Sequence, residues 1–220
     1  VTWFAQPVAD GDLDQALATM NTQQNSAVTP DLSPTVFPGR VTNVATIIAQ
    51  MHNSHGAHWI PLWFGIDSIS NLFVLVERYK TDSAGAIDDP ARYLKQLAKP
   101  ILQTDASLGT ASHTESTALV PLAGDSYQGV QLKLMTFYAV NSNFRFINHW
   151  VIIITTGSDY YLLHVAQVQE APVAARVMAT FGETIPVFGD LLRRQLALQE
   201  RVNYNVTPVV RQLVKSILVH

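Results

Sequence analysis

The sequence predicts an α+β fold: an antiparallel sheet of about six to seven strands between Val41 and Gln169, covered by helices, with an extra C-terminal helical pair. Three observations predict it. First, "YQGVQLKLMTFYAV", "FRFINHWVIIITT" and "YYLLHVAQVQ" are long β-branched and aromatic runs parted by the short turn clusters "NSN" and "TGSD", the pattern of a meander. Second, "DDPARYLKQLAKPILQT" places Tyr93, Leu94, Leu97 and Ile101 at helical spacing behind Asp89 as cap and Pro90 in the first turn. Third, 220 residues with 48% apolar content suffice for a substantial buried core.

In chain order, residues 1–40 carry Pro7, Pro30, Pro34 and Pro38, and are read as an acidic arm with one short helix, Leu13 to Met20, started by Asp12. From Val41, "VTNVATIIAQM", "HWIPLWFGI" and "NLFVLVERYK" read as three strands bounded by Gly, Asn, Ser or Asp. The helix from Asp89 follows, with a bend expected at Pro100. Thr117 to Glu170 forms the meander, and "APVAARVMATFGETI" reads as a helix covering its last hairpin. Residues 41–185 are thus expected as one α+β domain, and residues 186–220 as amphipathic helices. In the last of these, Val210, Leu213, Val214, Ile217 and Leu218 make an apolar stripe opposite Arg211, Gln212, Lys215 and Ser216, a candidate partner-binding face.

Charge narrows the function classes. A formal charge of −3 gives no basic field of the kind that draws a protein to nucleic acid. No apolar run approaches the roughly 18 residues that span a bilayer. With no cysteine, disulfides, thiolate metal sites and thiol nucleophiles are excluded together. The start at Val1 is read as a processed form or a fragment. Residues 1–50 hold four acidic and one basic side chain, residues 171–220 three acidic and six basic, so the two ends have opposite sign.

The chemistry-bearing candidates are few. "MHNSHGAHW" sets His52, His55 and His58 three apart, the imidazole count of an open zinc site. On a helix the three fall about 300° and 600° around the axis, and Gly56 argues against a helix, so the competing reading is a polar turn between two strands. No carboxylate stands near in sequence to support a metal. "GDS" at Gly124 to Ser126 would need a strand-to-helix elbow to act as a nucleophile and reads as a turn. His149 and His164 sit in paired strands and read as structural. Among the carboxylates Glu77, Asp88 and Asp89, the last reads as a helix cap. Trp59, Trp63, Phe64 and Tyr138 could line a pocket for a small apolar ligand, or form plain core.

Gly124 with Tyr127, Arg145, and Gly157 with Tyr160 and Leu162, set in the order strand, helix "DDPARYL", strand, long hairpin, helix, carry a family resemblance. Over residues of about 41–185 the sequence resembles the PsbP/Mog1/DcrB α-β-α fold family. The resemblance implies a non-enzymatic accessory or assembly protein. The functional expectation is therefore a non-catalytic binding or assembly component of a larger complex, without cofactor, binding protein partners or copies of itself, with the periplasm or cell envelope as the favoured setting. The alternatives are a metal-binding protein or metal-dependent enzyme using His52, His55 and His58, and a carrier of small apolar ligands.

Overall fold

A computed structural model describes residues 3–26, 44–67, 72–81, 85–107, 110–116, 120–124, 127–140 and 143–171. The chain divides into two compact units, Val1–Pro172 and Val173–His220, and everything described here lies in the first. The expectations for Asp125 and Ser126, the helix after Ala171 and the stripe from Val210 to Leu218 fall outside the described residues.

The class is α+β, with one open antiparallel sheet. Its strands are β1 (Trp3–Pro7), β2 (Trp59–Asp67), β3 (Leu72–Tyr79), β4 (Thr110–Ser116), β5 (Val120–Gly124), β6 (Tyr127–Val140), β7 (Asn143–Thr156) and β8 (Asp159–Ala171). They lie in the order β1-β2-β3-β8-β7-β6-β4, with β5 also on β6. β4 pairs the second half of β6 and β5 its first half, so the two short strands share one edge of the long one. The meander from β5 to β8 pairs in sequence as expected. Gly157, at φ 59°, opens the two-residue turn between Thr156 and Asp159.

The helices are α1 (Leu13–Ser26), α2 (Val44–His55) and α3 (Pro90–Ser107). Asp12 caps α1, its Oδ1 accepting from Gln15 N at 2.9 Å. Asp89 caps α3, its Oδ1 accepting from Ala91 N and Arg92 N at 3.0 Å each. Both caps were legible as Asp before an apolar-periodic run.

Two expectations are corrected. "VTNVATIIAQM" is not a strand: Val44 onward is helical, because Ile48, Met51 and His55 recur at spacings of three and four and all three are buried, while Ala45, Ala49, Gln50 and Met51 are good helix formers. The N-terminal residues are more than an arm. Trp3–Pro7 pairs antiparallel with β2, and α1 places Leu13, Ala16, Leu17 and Met20 in the core.

All three helices cover one face of the sheet, and the apolar packing there falls into two clusters. One joins α1 and α2 (Leu17, Met20, Ile48, Met51) to Phe64, Phe73, Leu75, Ile147, Ala166 and Val168. The other joins α3 (Leu94, Leu97, Ile101) to Trp59, Tyr79, Leu132, Leu134, Val151, Ile153 and Leu162. Each buried Leu or Ile contributes roughly 1.5–3 kcal/mol. The opposite face of the central strands is buried as well, at Val74, Val76, Ile152, Ile154, Leu163 and Val165. β6 crosses β7 closely at Gly129, where a Cβ would sit 2.6 Å from the carbonyl oxygen of Ile153. Among the described residues, no helix is long and apolar enough to cross a membrane.

Candidate functional site: a buried carboxylate with four histidines

Between the two clusters runs a seam of ionisable side chains. In β3 the residues facing the helices are Phe73, Leu75, Glu77 and Tyr79, since alternate positions share a face. Phe73 and Leu75 belong to the first cluster and Tyr79 to the second, which puts Glu77 at the junction. On β8 the same junction falls at His164, between Leu162 and Ala166, and on β7 at His149, between Ile147 and Val151. β2 breaks its register between Pro61, the partner of Glu77, and Trp63.

Helix α2 supplies the other two members. His52 and His55 are three apart on its last turn and therefore neighbours on one face. Gly56, at φ 91°, then ends the helix. His58 lies beyond that break, exposed, with its ring 6.1 Å from that of Tyr79. The three imidazoles considered together as metal ligands are thus separated: two face the sheet from the helix and the third joins an aromatic group. Among the described residues, no cluster of three or more His, Asp or Glu is arranged to hold a metal ion.

The five side chains form a continuous hydrogen-bonded chain. His52 Nδ1 meets Glu77 Oε1 at 2.5 Å, and His55 Nδ1 meets Glu77 Oε2. His55 Nε2 lies 2.8 Å from His164 Nδ1, and His164 Nε2 lies 2.9 Å from His149 Nδ1. Glu77 is 0% exposed, His164 1%, His55 3% and His149 3%, whereas the His52 side chain retains 26% exposure. Solvent therefore reaches this chain at the His52 end.

The electrostatics follow from that burial. For Glu77, burial pushes the carboxyl upward, but the charges and hydrogen bonds of His55 and His52 outweigh it and hold the group below its ordinary value. The hydrogen bond to Glu77 raises His52 above its ordinary value against the effect of burial, with help from the charges of Glu77 and Asp14. His164 is pushed well below its ordinary value, first by desolvation and then by the neighbouring His55 and His149, so its imidazole is neutral.

A second group flanks the seam. Trp59 Nε1 donates to Tyr93 Oη at 3.1 Å, Tyr79 packs edge-on against Trp59, Tyr93 and Tyr160, and Tyr160 Oη donates to the carbonyl of Ile87 at 3.3 Å. Burial, against the hydrogen bond from Trp59, raises Tyr93 above its ordinary value. The four aromatics considered as a pocket lining do not gather: Trp59 and Phe64 are buried in different clusters. Trp63, opposite Val76, is on the other sheet face with its ring over Gly65. The side chain of Tyr138 is outside the described residues.

Sequence reasoning missed Glu77 as the hub, because it is 25 residues from His52 and 22 from His55. The available signal was a lone carboxylate on the inward phase of "NLFVLVERYK". His149 and His164 gave the same signal, a single imidazole within an apolar strand. Asp88 is exposed and Asp89 caps α3, whereas the carboxylate of Glu77 meets His52 and His55, so the carboxylates do not form a pair.

No protein-family model and no curated protein matches the sequence. Among solved structures, LpqN of Mycobacterium tuberculosis, described as involved in cell envelope biogenesis, is similar at 13% identity over 56% of this chain and 73% of its own, with a TM-score of 0.31. Human STARD10 is similar at 9% identity over 83% of this chain and 87% of its own, with a TM-score of 0.19.

Proposed function

We propose that this protein is a non-catalytic binding or assembly component of a larger complex. One observation carries the reading: Glu77, His55, His149 and His164, groups of the kind catalysis employs, bond to one another inside the core and fasten α2 to β3, β8 and β7. A general acid or base has to reach a substrate atom within hydrogen-bond distance. Side chains committed to each other between two apolar clusters serve cohesion. The sequence supplies a contact surface in the stripe Val210, Leu213, Val214, Ile217 and Leu218, and the resemblance to an accessory-protein fold family agrees with it.

The test is the native mass of the untagged protein from its source. An assembly of fixed stoichiometry, well above the 24.2 kDa of one chain, is expected. Replacing Val214 and Ile217 with Glu should release the chain from that assembly while leaving its circular dichroism unchanged. Recovery of the wild-type chain as a free monomer would overturn the proposal.

A further inference from the structure

Away from the seam, the end of the sheet where β2, β3 and β8 meet carries three charged side chains around one cavity. Arg78 and Lys80 take the phase of Val74 and Val76, on the face turned from the helices. Arg78 stands opposite Ile60 on β2 and Tyr161 on β8. The same register, continued by two residues, sets Lys80 opposite Asp159, the first residue of β8. With Ile60, Tyr79 and Thr81, the three charged residues line a cavity of about 310 Å³.

Two features separate this cavity from an ordinary charged surface. Arg78 and Lys80 are cations two residues apart on one strand face, roughly 7 Å along the strand, a spacing at which they repel each other and at which an anion between them meets both. Asp159 is placed to neutralise Lys80, since directly opposite residues of an antiparallel pair approach closely. Yet among the described residues neither cation forms an ion pair with Asp159 or with any other carboxylate. All three charges instead border the same space, positive from β3 and negative from the start of β8. Arg78 offers a planar fork of N–H donors and Lys80 a compact ammonium, the pair that suits phosphate oxygens, whereas an ionised Asp159 only accepts.

We propose that this cavity is a binding site for a phosphoamine, a phosphate joined by a short spacer to an ammonium group, with the phosphate on Arg78 and Lys80 and the ammonium on Asp159. The charges agree in amount as well as sign. Two cations and one carboxylate leave an excess of one positive charge, which a phosphomonoester of about −1.5 to −2 carrying one ammonium balances. A bare phosphate would meet Asp159 as a like charge, and a bare amine would meet the two cations, so the site favours the molecule that has both ends. The volume is near the lower bound for ligand pockets, roughly 300 Å³, and suits a molecule of this size rather than a large cofactor. The same group occurs free and as a lipid headgroup. The charged residues of this cavity belong neither to the seam nor to the C-terminal stripe, so the site stands or falls apart from the assembly reading.

The test is calorimetric titration of the full-length chain with O-phosphoethanolamine, inorganic phosphate and ethanolamine. One O-phosphoethanolamine per chain is expected, bound more tightly than either fragment. Arg78→Gln and Lys80→Gln should each weaken it roughly tenfold or more, since each removes a charged hydrogen-bonding group. Asp159→Asn should weaken O-phosphoethanolamine and strengthen inorganic phosphate, because the charge it removes attracts an ammonium and repels a lone anion. Arg78 and Lys80 are exposed and Asp159 is half-buried, so the variants should keep the circular dichroism of the wild type. Displacement of bound O-phosphoethanolamine by vesicles containing phosphatidylethanolamine, and not by vesicles of phosphatidylcholine, whose quaternary ammonium has no N–H to donate, assigns the site to the lipid headgroup; no displacement by either assigns it to the free molecule. No binding of O-phosphoethanolamine at millimolar concentration, tighter binding of inorganic phosphate than of O-phosphoethanolamine, an affinity unmoved by Arg78→Gln, or an Asp159→Asn effect of the same sign on both ligands would each overturn the proposal.

Discussion

Replacing Glu77 by leucine tests the seam as a structural element. The carboxylate accepts from His52 and His55, and the second of these contacts is wholly buried. Without it, the Nδ1–H of His55 has no acceptor inside the core, which costs about 1–3 kcal/mol, more where the lost partner was charged. His52, partly exposed, turns to water. The apolar leucine recovers part of the loss, and a net destabilisation of about 2–3 kcal/mol is expected, a large share of the roughly 5–15 kcal/mol that holds a typical domain together. Urea unfolding followed by tryptophan fluorescence measures it, since Trp59 and Trp150 are both buried. The effect carries a pH signature. Because the folded carboxyl lies below its ordinary value, its stabilisation is present above that value, about 4.5, and is lost as pH falls through the folded value. The gap between wild type and variant should therefore be full at pH 7 and close in acid. A difference under about 0.5 kcal/mol at pH 7, or one that does not change with pH, would refute the account.

Other consequences are smaller and separable. His164 is neutral in the fold and takes a proton on unfolding, so stability should decline as pH falls below about 6.5, by up to about 1.4 kcal/mol per pH unit for that group; His164→Leu should flatten this segment in unfolding curves between pH 7 and 5. His52 has the opposite sign: its contribution is complete below about 6.5 and disappears as pH rises through its higher folded value, so His52→Gln should flatten the alkaline side. Asp89→Ala removes the acceptor for two amides of α3 and should cost about 1 kcal/mol, read as a shift in urea midpoint at unchanged slope. Gly129→Ala would put a methyl group against the Ile153 carbonyl and should destabilise by about 1–3 kcal/mol, with lost protection of the amides of β6 and β7 in hydrogen exchange.

The fold class was legible because its signals are local. The Asp caps, the spacing from Tyr93 to Ile101 and the turn at Gly157 each act within a few residues. Where sequence reasoning failed, two periods competed. The segment from Val44 to Met51 is rich in β-branched residues, yet its burial repeats at three and four, and the helix prevailed because that face packs on the sheet. β4, "TASHTES", has no apolar alternation and owes its extended form to pairing with β6. The site was the least legible part, since it is assembled from α2, β3, β7 and β8. His55 and His164 touch across 109 positions of sequence. A run of three histidines spaced three apart drew attention to neighbours, while the partners that matter came from elsewhere.

The seam also bears on how the strands find their alignment. β3, β7 and β8 are apolar on both sides, so hydrophobic burial alone would tolerate sliding one strand past another by a single residue. Such a slip would turn Glu77, His149 or His164 toward the wrong side and strand a buried donor or charge. Like the notches of a key, these few ionisable groups admit one alignment out of several that greasiness would accept.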